Sequence, residues 1–372
     1  MTKSQEPSTH KSSGSPPRKM SALALLVPMV APLAVASAGY AAWKVQWLSL
    51  LKAFFTGPGR LQRIFLLLFT LFNWKNMPFA WTLSVYLQSA SGFQTRVFYA
   101  VYYHHIIRRA PALGPPALFA PVISGSRAPL LEIDYNIHKS NSTYFADLDV
   151  SRTHLVSYIC GPGLRALSKN KVTQLVLDPT TKNPAPGKLG IMLGGVHCSF
   201  HREIPPYAAY ELWSRVLSWD RKWLYIVTHY VPKGLGRPSE WLDPRFGRLN
   251  RSAGKEPSKD WEKKIHATAV SKYVFKLGRL TIHPAIVLAE SGLLPTRPGG
   301  WIIDDLGTGM GGTAQTGDCL ELRSDPGEWD WKRVERRRVA GMQFAEKFHA
   351  MDSLQKAFDG GRGAVVGRFG PG

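Results

Sequence analysis

The chain has 372 residues, a formal net charge of +21 at pH 7 and a sequence pI near 10.0. That length allows one principal core with appendages, and three widely spaced cysteines, Cys160, Cys198 and Cys319, exclude a disulfide framework and a paired-cysteine zinc site. The positive field suits an anionic surface or an acidic substrate, whereas nucleic acid is disfavoured, because Lys and Arg are spread along the whole chain without a zinc-finger spacing or an RNP-like motif.

Residues 1–19 are Ser, Pro, Lys and Thr with almost nothing apolar, the composition of a disordered basic tail. Residues 20–43 are uncharged and mostly apolar, long enough for a transmembrane signal-anchor. A cleaved signal peptide is the competing reading, because Ala36-Ser37-Ala38 resembles a small-residue cleavage site. The first reading places the protein on a membrane such as the endoplasmic reticulum through a single pass, and the second makes it secreted. Residues 44–110 stay apolar and aromatic, and Ile64 to Phe72 is too short to span a bilayer, so it reads as interfacial or re-entrant, or else as a buried core helix. Two glycosylation sequons begin at Asn141 and Asn250.

Between 120 and 290 the pattern becomes strands around one helix. Leu130 to Asp134 reads as a first strand. Polar residues Ser140 to Thr143 then form an N-cap cluster, and Tyr144, Leu148, Leu155 and Ile159 recur at helical spacing until Gly161-Pro162-Gly163. Ile191 to Arg202, Tyr210 to Ser218 and Trp223 to Tyr230 read as an antiparallel meander, with a loop insertion over 232–263 and strand character again over Ala267 to Ile282. A Gly-rich linker over 291–328 and a basic helix over 329–358 close the chain, the helix packing on the domain or lying on a membrane. The fold class is α+β, one long helix against an antiparallel sheet, preceded by an N-terminal membrane segment.

The chemistry centres on Asp134-x-Asn136-x-His138-x-x-Asn141-x-x-Tyr144, continuing to Leu148-Asp149 and Arg152. This pattern, with His201-Arg202-Glu203-Ile204 and Leu217 to Tyr225, resembles the hotdog-fold thioesterase superfamily, particularly its fungal and other eukaryotic membrane-associated members. Ser140 stands where relatives commonly carry the first of two adjacent Asn residues. The resemblance implies a central helix wrapped by a curved antiparallel sheet, a homodimer, and an acyl thioester of coenzyme A or phosphopantetheine beside the helix N-terminus. It also implies a fungal secondary-metabolite setting.

A helix start offers unpaired N–H groups and a positive dipole end to an oxyanion. A carboxylate just before it can activate water or attack directly. Asp134 is therefore the catalytic candidate, with His138 sharing proton transfer and Asn136 orienting it, while Asn141, Ser142, Thr143 and Tyr144 are candidate substrate contacts. Without the motif, Asp134 reads as the cap of an Asx-turn. Asp149 and Arg152 read as a helix salt bridge. His197 and His201 share a strand face without a third ligand, so neither a metal nor another cofactor is expected. The alternative function is a non-catalytic hotdog protein that holds acyl chains or lipid at a membrane.

Overall fold

The computed structural model describes residues 46–73, 101, 103–104, 111–236, 238, 240–243, 248–251, 260–302 and 327–358. The chain divides into two units, Met1–Phe69 and Thr70–Gly372. The expected membrane segment over 20–43 lies outside the described residues, as does most of the Gly-rich linker. Among the described residues no helix is long and apolar enough to cross a membrane. Within 44–110 the chain forms helices α1 (Trp47–Phe55) and α2 (Arg60–Phe72), joined through Gly57 and Gly59, whose φ angles of +80° and +75° favour glycine.

The sheet of the second unit is built from β1 (Val122–Arg127), β2 (Leu189–Phe200), β3 (Ala209–Trp219), β4 (Leu224–Pro232), β5 (Glu240–Asp243), β6 (Arg248–Arg251), β7 (Ala267–Leu277) and β8 (Leu280–Ile282). Its order is β2-β7-β4-β3-β1-β5-β6, with β8 paired to β7. Of the expected meander only the β3–β4 hairpin is present: β2 pairs with β7 instead of β3, and β7 pairs with β4, so the antiparallel run is β3, β4 and β7. The β3–β4 turn is fixed by Asp220, whose carboxylate accepts from the amides of Lys222 and Trp223 at 2.7 and 2.6 Å and from the Tyr225 hydroxyl at 2.9 Å.

Helix α3 (Asn141–Ile159) packs on β1 and β3 and is buried on most of its circumference. A hydroxyl chain runs through this seam. Ser124 Oγ donates to Ser151 Oγ at 3.0 Å, Ser151 meets Ser214 Oγ at 2.8 Å, and Ser214 meets Thr228 Oγ1 at 2.8 Å. Farther along α3, Leu155, Tyr158 and Ile159 join the main apolar cluster with Val216, Leu224, Ile226 and Phe275. The side chains of Ile226, Thr228 and Tyr230 on β4 thus face α3, and by the two-residue period Trp223 and Tyr225 face the other way. There they meet Ala345, Met342 and Phe348 of α7 (Trp331–Ala350). The middle of the sheet is covered on both faces.

Several expectations are corrected. Leu130–Glu132 is a 3-10 turn rather than a strand, because Pro129 opens a tight turn there, and the first strand lies earlier, at β1. The Gly161-Pro162-Gly163 stop does end α3, but it also opens α4 (Gly161–Ser168), since proline suits the first turn of a helix. A four-residue helix α5 (Asn170–Thr173) follows. The insertion over 232–263 is not all loop: β5 pairs in parallel with β1 at Val122 and Leu242, and β6 pairs with β5. Beyond β8, His283 Nδ1 accepts from Ala285 N at 3.0 Å and caps α6 (Pro284–Glu290). The basic C-terminal helix packs on the sheet.

Candidate active site

Asp134 to His138 form the tip of a small loop held closed at its base. Ile133 and Lys139 form an antiparallel bridge, Asp134 N donates to His138 O at 3.0 Å, and Ser140 N donates to Glu132 O at 2.7 Å. Lys139 N also donates to Ile204 O at 2.9 Å, which ties the loop to the segment before β3. Ile137 has a φ of +62°, a left-handed conformation that a β-branched side chain adopts only under strain.

Asp134 Oδ1 accepts the Asn136 amide at 2.9 Å, so the carboxylate is the cap of an Asx-turn as well as the candidate base. His138 Nδ1 stands 3.7 Å from that same Oδ1, and its Nε2 stands 3.7 Å from the Glu203 carboxylate. The Asp134 and His138 side chains are 22% and 18% exposed, open enough to meet a substrate yet partly shielded from water. Asn136 acts through its backbone; its own side chain is exposed, so the expected amide contact to Asp134 is replaced by an N–H one.

Helix α3 starts immediately after this loop. Its N-cap, Ser140, makes no side-chain capping bond, and the Ser140 hydroxyl instead meets Ser142 Oγ at 3.1 Å. Thr143 is used up locally, its amide and hydroxyl both donating to Ser140 O at 3.0 and 2.7 Å. The open donors are therefore the amides of Asn141 and Ser142, first-turn groups with no intrahelical acceptor, on exposed residues. Tyr144 is a core residue rather than an open contact. Its ring packs against Phe200 and Tyr230, its carbonyl accepts the Tyr230 hydroxyl at 2.6 Å, and burial pushes its own hydroxyl well above the ordinary tyrosine range.

Beneath the loop lies a buried charge cluster that sequence reasoning did not find. The fully buried Lys139 ammonium bonds the Glu132 carboxylate and stands 3.2 Å from Asp147 Oδ2 on α3. The Tyr210 hydroxyl of β3 donates to the same Asp147 oxygen, and Ser126 Oγ donates to the other at 3.3 Å. Burial first, then the Asp147 charge, drives the Tyr210 hydroxyl far above its usual range, which keeps it a donor. Lys139 also lies 5.4 and 5.6 Å from the Tyr144 and Tyr210 ring centres. The signal available was the pairing of Glu132 and Lys139 at the two ends of the loop. Arg152 and Asp149 form the expected i,i+3 salt bridge, and Arg152 also reaches Ser271 on β7. Burial raises the Cys160 and Cys198 thiols to about 12 and about 11, which favours the protonated form of both. His197 meets Ser199 at 3.1 Å, and His201 falls beyond the end of β2.

A family model described as the thioesterase-like superfamily matches residues 128–239, a span that includes the loop, α3, β3 and β4. Thioesterase poxG of Penicillium oxalicum is 35% identical over 309 residues, covering 80% of this chain and 86% of its own. The chain belongs to the thioesterase-like superfamily. A probable thioesterase of Emericella nidulans, atnL, is 32% identical over 314 residues, covering 81% of this chain and 89% of its own. Among solved structures, a gentisyl-coenzyme A thioesterase matches 45% of this chain and 98% of its own, at 11% identity and a TM-score of 0.28. The protein is a thioester hydrolase, and the Asp134–Tyr144 segment of this thioesterase lies wholly within the matched family region. The non-catalytic alternative is set aside accordingly.

Proposed function

We propose that this thioesterase hydrolyses an acyl or polyketide chain bound to coenzyme A or to a carrier protein, in fungal secondary metabolism, with Asp134 as the general base. The observation that carries the reading is the partly shielded Asp134 carboxylate, held in a pinned loop directly before a helix whose first amides are uncapped. Asp134 takes a proton from water as the water oxygen bonds to the thioester carbonyl carbon. The oxyanion draws on the amides of Asn141 and Ser142 and the positive end of α3. Collapse breaks the C–S bond, and the proton passes to the departing thiolate, with His138 beside Asp134 able to share it. A coenzyme or phosphopantetheine arm is anionic, and the chain's charge of +21 attracts it.

The same proposal includes a homodimer through β2. This strand lies at one end of the sheet, bonded to β7 alone among the described residues, and Ile191, Met192 and Leu193 on it are exposed. A thiol-trapping assay over a panel of acyl-coenzyme A and acyl-carrier substrates tests the reading. Asp134→Asn should lower kcat by about two orders of magnitude or more while the melting temperature stays within a few degrees, given the usual worth of a general base. Unchanged turnover in that variant would remove Asp134 from the mechanism.

A further inference from the structure

The α1–α2 hairpin has a chemistry that the thioesterase reaction does not use. A helix of a water-soluble domain buries an apolar stripe, yet no residue of α1 or α2 is buried. Leu48, Leu61 and Phe65 are 85%, 74% and 70% exposed. On α2 the exposed residues Leu61, Phe65, Leu68 and Phe72 recur at i, i+4, i+7 and i+11, one continuous face. From Trp47 to Phe72 the chain has no acidic residue, and its charges are Lys52, Arg60 and Arg63.

The turn between the helices supplies an independent observation. The last carbonyls of a helix lack intrahelical partners and ordinarily turn to water. Here the Arg63 guanidinium reaches back across the turn and donates to the carbonyls of Phe54, Pro58, Ala53 and Thr56 at 3.0, 2.8, 3.1 and 2.9 Å. The Lys52 carbonyl accepts the Thr56 amide at 2.9 Å, and Gly57 O accepts the Arg60 amide at 3.4 Å. One cation thus satisfies most of the turn and complements the negative end of α1, so the turn has little need of water. Apolar surroundings demand that condition of any backbone they receive.

We propose that the hairpin Trp47–Phe72 lies in the headgroup boundary of a phospholipid leaflet that carries anionic lipid. At 9 and 13 residues its helices fall short of the roughly 20 needed to cross a bilayer, so the hairpin lies along the surface. The apolar face enters the acyl boundary, while the Lys52 and Arg60 side chains extend to the phosphates. Positive charge without a single carboxylate selects an anionic surface over a neutral one.

Hydrogen exchange on the full-length chain, read peptide by peptide, tests this at the hairpin itself, whatever other segments do. Phosphatidylcholine vesicles containing phosphatidylserine should slow exchange over residues 46–73 by about tenfold, as insertion of an otherwise exposed helix pair does, and vesicles of phosphatidylcholine alone should slow it less. Leu61→Glu with Phe65→Glu should abolish the slowing and leave thioesterase turnover unchanged, since neither residue belongs to the loop or the helix that carries the site. Hairpin exchange that is indifferent to both vesicles would overturn the proposal, even if the protein bound them through another segment. Slowing that grew with protein concentration in the absence of lipid would overturn it too, by showing a second copy on the apolar face. Equal slowing by both vesicle types would remove the role of anionic headgroups.

Discussion

Lys139 is adjacent to the part-exposed His138 yet is itself buried, against two buried carboxylates, Glu132 and Asp147. Removing one member of such a set leaves charge buried without compensation, at a cost of about 3–5 kcal/mol. Lys139→Met should therefore destabilise the protein by that order in urea melts. Adding Glu132→Gln and Asp147→Asn to Lys139→Met, which removes the formal charges of all three residues, should recover most of the loss. If the single variant melted like the parent, the cluster would not be what holds the loop. Asp134 and His138 were legible in the sequence because their spacing from Asn141 and Tyr144 makes a motif. Glu132, Lys139 and Asp147 were not, since a charged side chain beside a loop ordinarily reads as solvated and only the fold turns these inward.

At the scale of elements, β3 and the central helix were legible because each keeps one period: β3 alternates between half-buried and buried positions from Ala209 to Ser218, and Tyr144, Leu148, Leu155 and Ile159 recur at helical spacing. The pairing of β2 with β7 rather than β3 was not legible, because it is set by the fold and not by a local period. Nor were the short pieces. Leu130 to Asp134 has strand composition but sits between Pro129 and a tight turn, and β5 and β6 are four residues each inside a polar stretch. Helix α7 was expected, but its resting place was open, and a glycine decides it. A Cβ on Gly341 would lie 2.1 Å from the Leu217 carbonyl, at the point where β3 shifts register and Ser218 Oγ donates to Arg338 O at 2.7 Å. Gly341→Ala should lift α7 from the sheet and lower stability by about 1–3 kcal/mol, the usual cost of overpacking, with earlier proteolytic cleavage in 331–350. Wild-type protease resistance in this variant would show that α7 can shift without loss.

For the whole molecule, the sheet is covered at its middle, and the β2 edge is an exposed apolar margin. Met192→Lys with Leu193→Lys should convert the proposed dimer to a monomer in sedimentation, because facing lysines repel across a shared edge, and activity should fall with it. A variant that sedimented as the parent does would move the interface elsewhere.

The hydroxyl chain from Ser124 through Ser151 and Ser214 to Thr228 has a consequence for how this thioesterase can move. Grease tolerates sliding, but matched donors and acceptors do not. A slip of one residue along α3 rotates the helix by about 100° and would carry the buried Ser151 hydroxyl away from both Ser124 and Ser214. The azimuth of α3, and with it the aim of the Asn141 and Ser142 amides, is keyed to the sheet like a spline in its slot. Helix and sheet should therefore open together, as one exchange-protected block.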